Sequence, residues 1–495
     1  MNKKNCLEKF NKNFEKVNFN VPRIVIGATS SGTGKTTITC AILMAFKKRG
    51  YNVSSFKCGP DYIDPMFHRK ALGISSTNLD LFFTDRQTTL WIMKEACEDI
   101  TKNQSNEKKS VAVMEGVMGY YDGVAGTTIQ ASTFDLADTT KSPAILIVDG
   151  KGKSLSLVAE IKGFLEFKNN SHIKGIIINR VSAMMFTLLK DTIEKSLGIK
   201  VLGYFPVMDD GVIESRHLGL VTADEVKEVD SILEKLGNQA EISLDMDEII
   251  RISMSATDLT FNKSEKVEKF QSLMKNIEKD LNGEKLRIGV AKDKAFCFYY
   301  NENLKILENL GCQLVEFSPL NDNCLPRNLS GIMLGGGYPE LYGKELANNI
   351  SFKESLRKAL KSGMPCLAEC GGFMYLHEAI EDRNGNLYEM IGALEGKSYP
   401  LEKMGRFGYI NLEFNGDCFL GKKGSHVKAH EFHYWESENP GNFMSAKKPL
   451  RKRNWQCGII ENNIFAGFPH LYFWSNPEIP IRLVGKCKSF FDKNR

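Results

Sequence analysis

A chain of 495 residues that is 42% hydrophobic, 10% aromatic and 25% charged has ordinary globular usage and, at about 150 residues per domain, length for two or three domains. One small binding module and a broadly disordered chain are both excluded. Lys and Arg (65) exceed Asp and Glu (60) by only five, so nucleic acid is not expected as a partner, while a polyanionic small molecule stays open.

The N-terminus, MNKKNCLEKFNKNFEKVNFN, is basic and lacks the apolar stretch of a signal peptide, and residues 1–21 read as a polar extension. Short β-branched runs then alternate with helix-sized stretches: RIVIG from Arg23, VSSF from Val53, VAVME from Val111, AILIVD from Ala144, GIIINR from Gly175 and VLGYF from Val201. Such runs predict a parallel sheet covered on both faces, in a domain over 22–250. A polar, Lys/Glu-rich stretch follows, and residues 251–285 are expected to be a linker. A second series, RIGVAKD from Arg287, QLVEF from Gln313, GIMLGGG from Gly331 and PCLAECGG from Pro365, opens a domain over 286–495. The fold class is therefore α/β, with two α/β domains in tandem. The basic run Lys447 to Arg453 reads as a solvated loop. No apolar run reaches the about 18 residues of a membrane span. The 12 cysteines form no C-x-x-C pair, so reduced thiols in a cytoplasmic protein without membrane attachment are expected.

After the first strand comes G-A-T-S-S-G-T-G-K-T, Gly27 to Thr36, followed by the apolar-periodic TTITCAILMAF. Strand, glycine-rich turn and helix make a phosphate loop: backbone N–H groups of Gly32, Thr33, Gly34 and Thr37 surround phosphates, Lys35 reaches the β- and γ-phosphates, and Thr36 can hold Mg²⁺. Thr29 stands where the common pattern has its leading glycine. The second strand ends in F-K-C-G-P-D-Y-I-D-P, bringing Lys57, Asp61, Tyr62 and Asp64 to the sheet rim, where ligands of open α/β folds bind. The third ends in E-G-V-M-G-Y-Y-D-G, with Glu115 at the strand edge and Asp122 seven residues on. A carboxylate beside a phosphate loop is a second Mg²⁺ ligand or a water-orienting group.

P-C-L-A-E-C-G-G-F-M-Y-L, Pro365 to Leu376, reads as a strand, a sharp turn through Cys370 and a helix, the form of a nucleophile elbow, with Ala368 and Gly372 relieving crowding. The helix is expected to favour the thiolate. G-G-G-Y-P-E, from Gly335, ends another strand and supplies backbone donors for an oxyanion. His470, after the strand-like IIENNIFAGF, is the expected base. His430 and His433 are not read as metal ligands, because no third ligand accompanies them.

These motifs, with N-L-D from Asn78, A-K-D-K-A-F-C-F-Y-Y-N-E-N-L from Ala291 and H-E-F-H-Y-W from His430, resemble in this order the cobyrinic acid a,c-diamide synthase family, over Pro22 to about residue 480. The resemblance implies an ATP-dependent ligase domain like dethiobiotin synthetase, joined to a class I glutaminase domain. It implies that Cys370 attacks glutamine, that Gly336, Gly337 and Gly371 line the oxyanion and glutamine site, and that His470 shuttles protons. ATP with Mg²⁺ would phosphorylate acetate side chains of a tetrapyrrole polycarboxylate, cobyrinic acid, and ammonia would displace the phosphate at the a and c positions. Thr36 and Glu115, with Asp64 or Asp61, would hold Mg²⁺. Lys57 with the Asp61 to Asp64 loop and Asp122 would face the reacting carboxylate, and Asn179 with the segment after Pro206 would hold adenine. Class I glutaminases carry Glu two residues after the catalytic histidine, where this chain has Tyr472, so the group orienting His470 is not identified. The nickel-sirohydrochlorin a,c-diamide synthase, which shares these motifs, and the hydrogenobyrinic acid a,c-diamide synthase are the alternatives within the ligase class. A partition-type ATPase switch is the alternative from another class, although such switches carry an additional early loop lysine where Ala28, Thr29, Ser30 and Ser31 stand. Oligomeric state stays open, a homodimer included.

Overall fold

The structure is a computed structural model that describes residues 15–73, 76–103, 109–208, 215–216, 219–220 and 229–495. The chain divides into two compact units, one of Met1–Gly59, Asp64–Gly123 and Thr128–Lys269, the other of Pro60–Ile63, Val124–Thr127 and Phe270–Arg495.

The first unit is built on a parallel seven-stranded sheet. From edge to edge its strands are Thr77–Leu79, Asn52–Cys58, Ser110–Glu115, Arg23–Ala28, Ala144–Asp149, Ile173–Asn179 and Lys200–Phe205. All six apolar runs of the sequence are strands here. Thr77–Leu79 is an added edge, too short and too polar to register as a run. The central strand Arg23–Ala28 is buried along its whole length, as expected for a strand covered on both faces. Arg23 is buried at its start because its guanidinium donates to Thr140 O (2.8 Å), Val21 O (3.0 Å) and Thr257 O. Part of the stretch expected as a linker thus packs on this unit. Leu259–Asn262 pairs antiparallel with Lys16–Phe19, a strand drawn from the expected N-terminal extension, of which residues 1–14 lie outside the described residues.

The second unit holds a six-stranded sheet in the order Cys312–Phe317, Leu286–Ala291, Gly331–Leu334, Cys366–Glu369, Ile464–Gly467 and Ile459–Glu461, parallel except for the last pair. A mixed sheet and an antiparallel sheet accompany it. One joins Leu387–Glu389, Ala379–Glu381, Lys397–Pro400 and Trp435–Ser437, and the other joins Asn454–Cys457, Met444–Lys447, Arg406–Phe414, His426–His433 and His470–Leu471. The core beneath the elbow packs Leu334, Cys366, Ala368, Phe373, Ile464 and Ala466.

Candidate active sites

In the first unit, the loop after Arg23–Ala28 turns into the helix Lys35–Lys48 through Gly34, whose φ of 91° suits glycine. A Cβ there would also lie 2.3 Å from the carboxamide nitrogen of Asn179. That nitrogen donates to Thr33 O at 2.7 Å, so Asn179 ties the loop to the sheet. Of the segment after Pro206, residues 209–214 lie outside the described residues. Lys35 Nζ donates to Ser30 O (3.2 Å) and Met118 O (2.5 Å). Its pKa is pushed down to about 8 by burial and then by neighbouring Lys57, so a polyanion at the loop would be met by a poorly solvated ammonium.

Beside the loop, the Thr36 hydroxyl donates to Glu115 Oε1 at 2.8 Å. Lys57 Nζ donates to the same oxygen at 2.9 Å, to Gly116 O at 3.1 Å, and to Asp64. Glu115 is fully buried. Burial alone would raise its pKa, but Lys57 and then His68 outweigh burial and hold the carboxyl well below the usual range. Thr36, Asp64 and Glu115 therefore present hard oxygen donors around one ammonium, a set that fits a Mg²⁺ ion held mainly by phosphate oxygens and water. Asp122 Oδ2 accepts from Gly119 N at 2.9 Å and shapes the turn after Glu115.

Sequence reasoning missed His68. Its Nε2 lies 2.6 Å from Glu115 Oε2, and its Nδ1 lies 3.3 Å from the Ser76 hydroxyl. Asp64 is not in a loop but in the first turn of the helix Ile63–Leu72. The i, i+4 spacing of Asp64 and His68 was the available signal, because it puts both on one helix face. Asp61 and Tyr62, grouped with Lys57 in the sequence, belong to the Pro60–Ile63 segment of the second unit. Asp61 accepts from Ile63 N at 2.8 Å. The Tyr62 ring lies 4.6 Å from that of Tyr300 and 5.0 Å from that of His470.

The second unit brings Cys370, Gly336 and His470 together. Cys370 has φ 49° and ψ −105° between the strand Cys366–Glu369 and the helix Gly371–Leu376, the strained turn of an elbow. Its own N–H is tied to Gly467 O at 2.8 Å. A Cβ placed on Gly336 would stand 2.4 Å from His470 Cε1 and 3.4 Å from Cys370 Cβ, so the thiol and the imidazole flank this glycine. The nitrogen of Gly337 lies 3.1 Å from the place a Gly371 Cβ would take, which sets the two turns edge to edge where backbone donors can converge.

The electrostatics differ from the expectation of a resting thiolate. Burial, and then the carboxylate of Glu340, push the Cys370 thiol well up, although the Gly371 N–H acts the other way. A six-residue helix does not offset that desolvation. Burial and then His433 push His470 down to about 3, and burial pushes Glu369 up to about 8. At neutral pH all three groups therefore rest uncharged. Glu369 is the second residue that sequence reasoning missed. Its Oε1 accepts from Leu471 N at 3.0 Å, and its Oε2 faces His470 Nδ1 at 3.9 Å. Asn303 clamps the same strand from the other side, donating to Leu471 O at 2.7 Å and accepting from Phe473 N at 2.8 Å.

Comparison with known proteins bears on both units. The CobQ/CobB/MinD/ParA nucleotide binding domain family matches residues 24–220, and the CobB/CobQ-like glutamine amidotransferase domain family matches residues 287–478. The chain is 36% identical over 469 residues to the cobyrinate a,c-diamide synthase of Caldanaerobacter subterraneus subsp. tengcongensis, covering 94% of this chain and 98% of that one. With the synthase of Listeria innocua it shares 38% over 472 residues, covering 94% and 99%. With that of Thermoplasma volcanium it shares 37% over 478 residues, covering 96% and 99%. No helix among the described residues is long and apolar enough to cross a membrane.

Proposed function

The chain belongs to the cobyrinate a,c-diamide synthase family, amidating ligases that use glutamine, and from that premise we propose that it converts the a and c acetates of cobyrinic acid to carboxamides through acyl phosphates. The observation that carries the glutamine half is the placement of Cys370 and His470 on either side of Gly336. Cys370 gives its proton to His470 and attacks the side-chain amide of glutamine. The backbone amides of Gly337 and Gly371 stabilise the oxyanion. His470 returns the proton to the departing ammonia, and water then releases glutamate from the thioester. Glu369, facing Nδ1, orients the ring in the place of the glutamate that Tyr472 replaces.

In the ligase half, Lys35 and the loop amides bind the triphosphate. A carboxylate of the substrate takes the γ-phosphoryl group, releasing ADP, and ammonia displaces phosphate to leave the amide. Thr36, Asp64 and Glu115 would hold Mg²⁺, which neutralises phosphate charge when bound. Lys57, fixed by both carboxylates, orients them. The test is amidation of cobyrinic acid by Cys370→Ala, read by mass spectrometry as a loss of about one mass unit per carboxylate converted. Glutamine-dependent amidation is expected to vanish and ammonium-dependent amidation to persist. Loss of both in a folded protein would refute two separable sites, and a preference for nickel-sirohydrochlorin would replace the macrocycle.

A further inference from the structure

The run A-K-D-K-A-F-C-F-Y-Y, from Ala291, leaves the strand Leu286–Ala291 at its C-terminal end. That strand neighbours Gly331–Leu334 in parallel register, so the turn of the run stands beside the G-G-G-Y turn that follows Leu334. Both come off the edge of the sheet at which ligands of open α/β folds bind.

Backbone hydrogen bonds join the two turns. The N–H groups of Cys297 and Phe298 both donate to Gly336 O, at 2.9 and 3.0 Å, and Tyr338 N donates to Ala295 O at 3.0 Å. The approach is so close that a Cβ on Gly337 would stand 2.1 Å from Ala295 O. A trans peptide is planar, with its C=O and N–H pointing in opposite directions. Two donors on Gly336 O therefore turn the N–H of Gly337 away from the loop 293–298 and towards Gly371, which supplies the other donor. Among the described residues, no backbone acceptor takes that N–H. Half a turn of the same peptide would instead aim the Gly336 carbonyl at the oxyanion and replace attraction by repulsion.

One carboxylate holds the loop. Asp293 Oδ1 accepts from Ala295 N at 2.8 Å and from Phe296 N at 3.1 Å, while Oδ2 accepts from the Ser318 hydroxyl at 2.8 Å and from Leu320 N at 3.0 Å. The first oxygen folds the loop. The second ties it to the segment that follows the neighbouring strand Cys312–Phe317. Hydrogen bonds to a carboxylate are stronger than those between neutral groups, so four of them on one side chain fix the loop against the sheet. The loop has an apolar anchor as well: Phe296 is fully buried, with its ring 5.3 Å from that of Tyr375 in the helix after Cys370.

We propose that Asp293 is a positioning residue for glutamine hydrolysis: through the backbone of residues 295–298 it holds the Gly336–Gly337 peptide with its N–H aimed at the oxyanion. Asp293 acts through that peptide and not on the reacting atoms. The assignment rests on the reading of Cys370 as the nucleophile and of Gly337 as an oxyanion donor.

The test uses the full-length protein and two reactions of one thiol. Hydrolysis of glutamine passes through a tetrahedral oxyanion. Alkylation of Cys370 by iodoacetamide does not, because the sulfur–carbon bond forms at a saturated carbon as iodide leaves, and the thiol proton passes to solvent. Asp293→Ala is expected to lower kcat for glutamine about 100-fold, the scale of one oxyanion donor, with KM nearly unchanged. Alkylation at Cys370, followed by peptide mass spectrometry, should stay within a few-fold of wild type. Asp293→Asn keeps an acceptor for Ala295 and Phe296 but loses one for the segment at Ser318, and is expected to recover hydrolysis to within about ten-fold of wild type. Equal losses in hydrolysis and alkylation by Asp293→Ala would overturn the proposal, because a loop that merely supports the fold damages both reactions alike. A hydrolysis rate near wild type would overturn it too. Should thermal melts show Asp293→Ala unfolded, Asp293→Asn decides by the same comparison: a fall in hydrolysis without a fall in alkylation supports the assignment, and any other result refutes it. Cys370→Ala separates the two readings, since continued hydrolysis of glutamine by that variant would remove the nucleophile, and the oxyanion with it, whatever Asp293 does.

Discussion

Gly336→Ala is the sharpest perturbation the glutaminase site offers, because one methyl group would enter the space between nucleophile and base. The new Cβ would lie 2.4 Å from His470 Cε1, 3.1 Å from Nε2 and 3.4 Å from Cys370 Cβ. Ordinary contact requires the imidazole to retreat by about 1 Å, a displacement that costs on the order of 100-fold in rate when it separates reacting groups. The ring has little freedom to absorb this elsewhere. His470 is 2% exposed, and the backbone beside it is held by Asn303 and Glu369. The variant should therefore release glutamate from glutamine at least about 100-fold more slowly, with kcat rather than KM carrying the loss. Overpacking of this kind costs about 1–3 kcal/mol, visible as a lower denaturant midpoint without loss of cooperative unfolding. Ammonium-dependent amidation, which does not use this glycine, should stay within a few-fold of wild type. A glutaminase rate near wild type would show that Cys370 and His470 do not work across Gly336, and the mechanism would need another base.

Three further outcomes follow from the same geometry. Lys57→Met removes the ammonium shared by Asp64 and Glu115, and breaking such a buried arrangement should cost about 3–5 kcal/mol in urea denaturation. Glu115 has a depressed pKa, so its stabilisation is present above the ordinary carboxylate range and lost as pH falls; in Lys57→Met that acid-side loss should shrink. Glu369 has the opposite sign. Its pKa is raised to about 8, so its contribution is complete below the ordinary glutamate value and lost as pH rises through about 8. The Tm advantage of wild type over Glu369→Gln should therefore decline steadily across that window, and a flat difference would mean that the carboxyl is not buried as described. Asn303→Ala leaves Leu471 O and Phe473 N without their partner, with an expected loss of about 2 kcal/mol and a fall in glutaminase kcat at nearly constant KM.

Strands buried on both faces announce themselves as apolar runs, which is why the parallel strands around both sites, the short edge Thr77–Leu79 apart, were legible in the sequence. The antiparallel strands of the second unit were not. Arg406–Phe414 and His426–His433 mix buried residues with half-buried and exposed ones and carry His, Glu and Arg where a run would carry Val or Ile. Glu369 was hidden for a different reason. Two residues beyond His470 stands Tyr472, whereas the carboxyl that faces the His470 Nδ1 comes from another strand, distant along the chain. Glu369 pairs with Gly467 in parallel register, which carries it alongside the strand leading to His470 and onto the amide of Leu471. His68 was hidden by a shift of secondary structure, since reading Asp61 to Asp64 as loop removed the helical spacing that would have linked Asp64 to it. In each case the missing residue is a buried polar group whose partner is distant in sequence. Burial makes such a group electrostatically potent, because the low dielectric that penalises it alone also strengthens its attraction to one partner. The same burial removes the local pattern by which a sequence displays it.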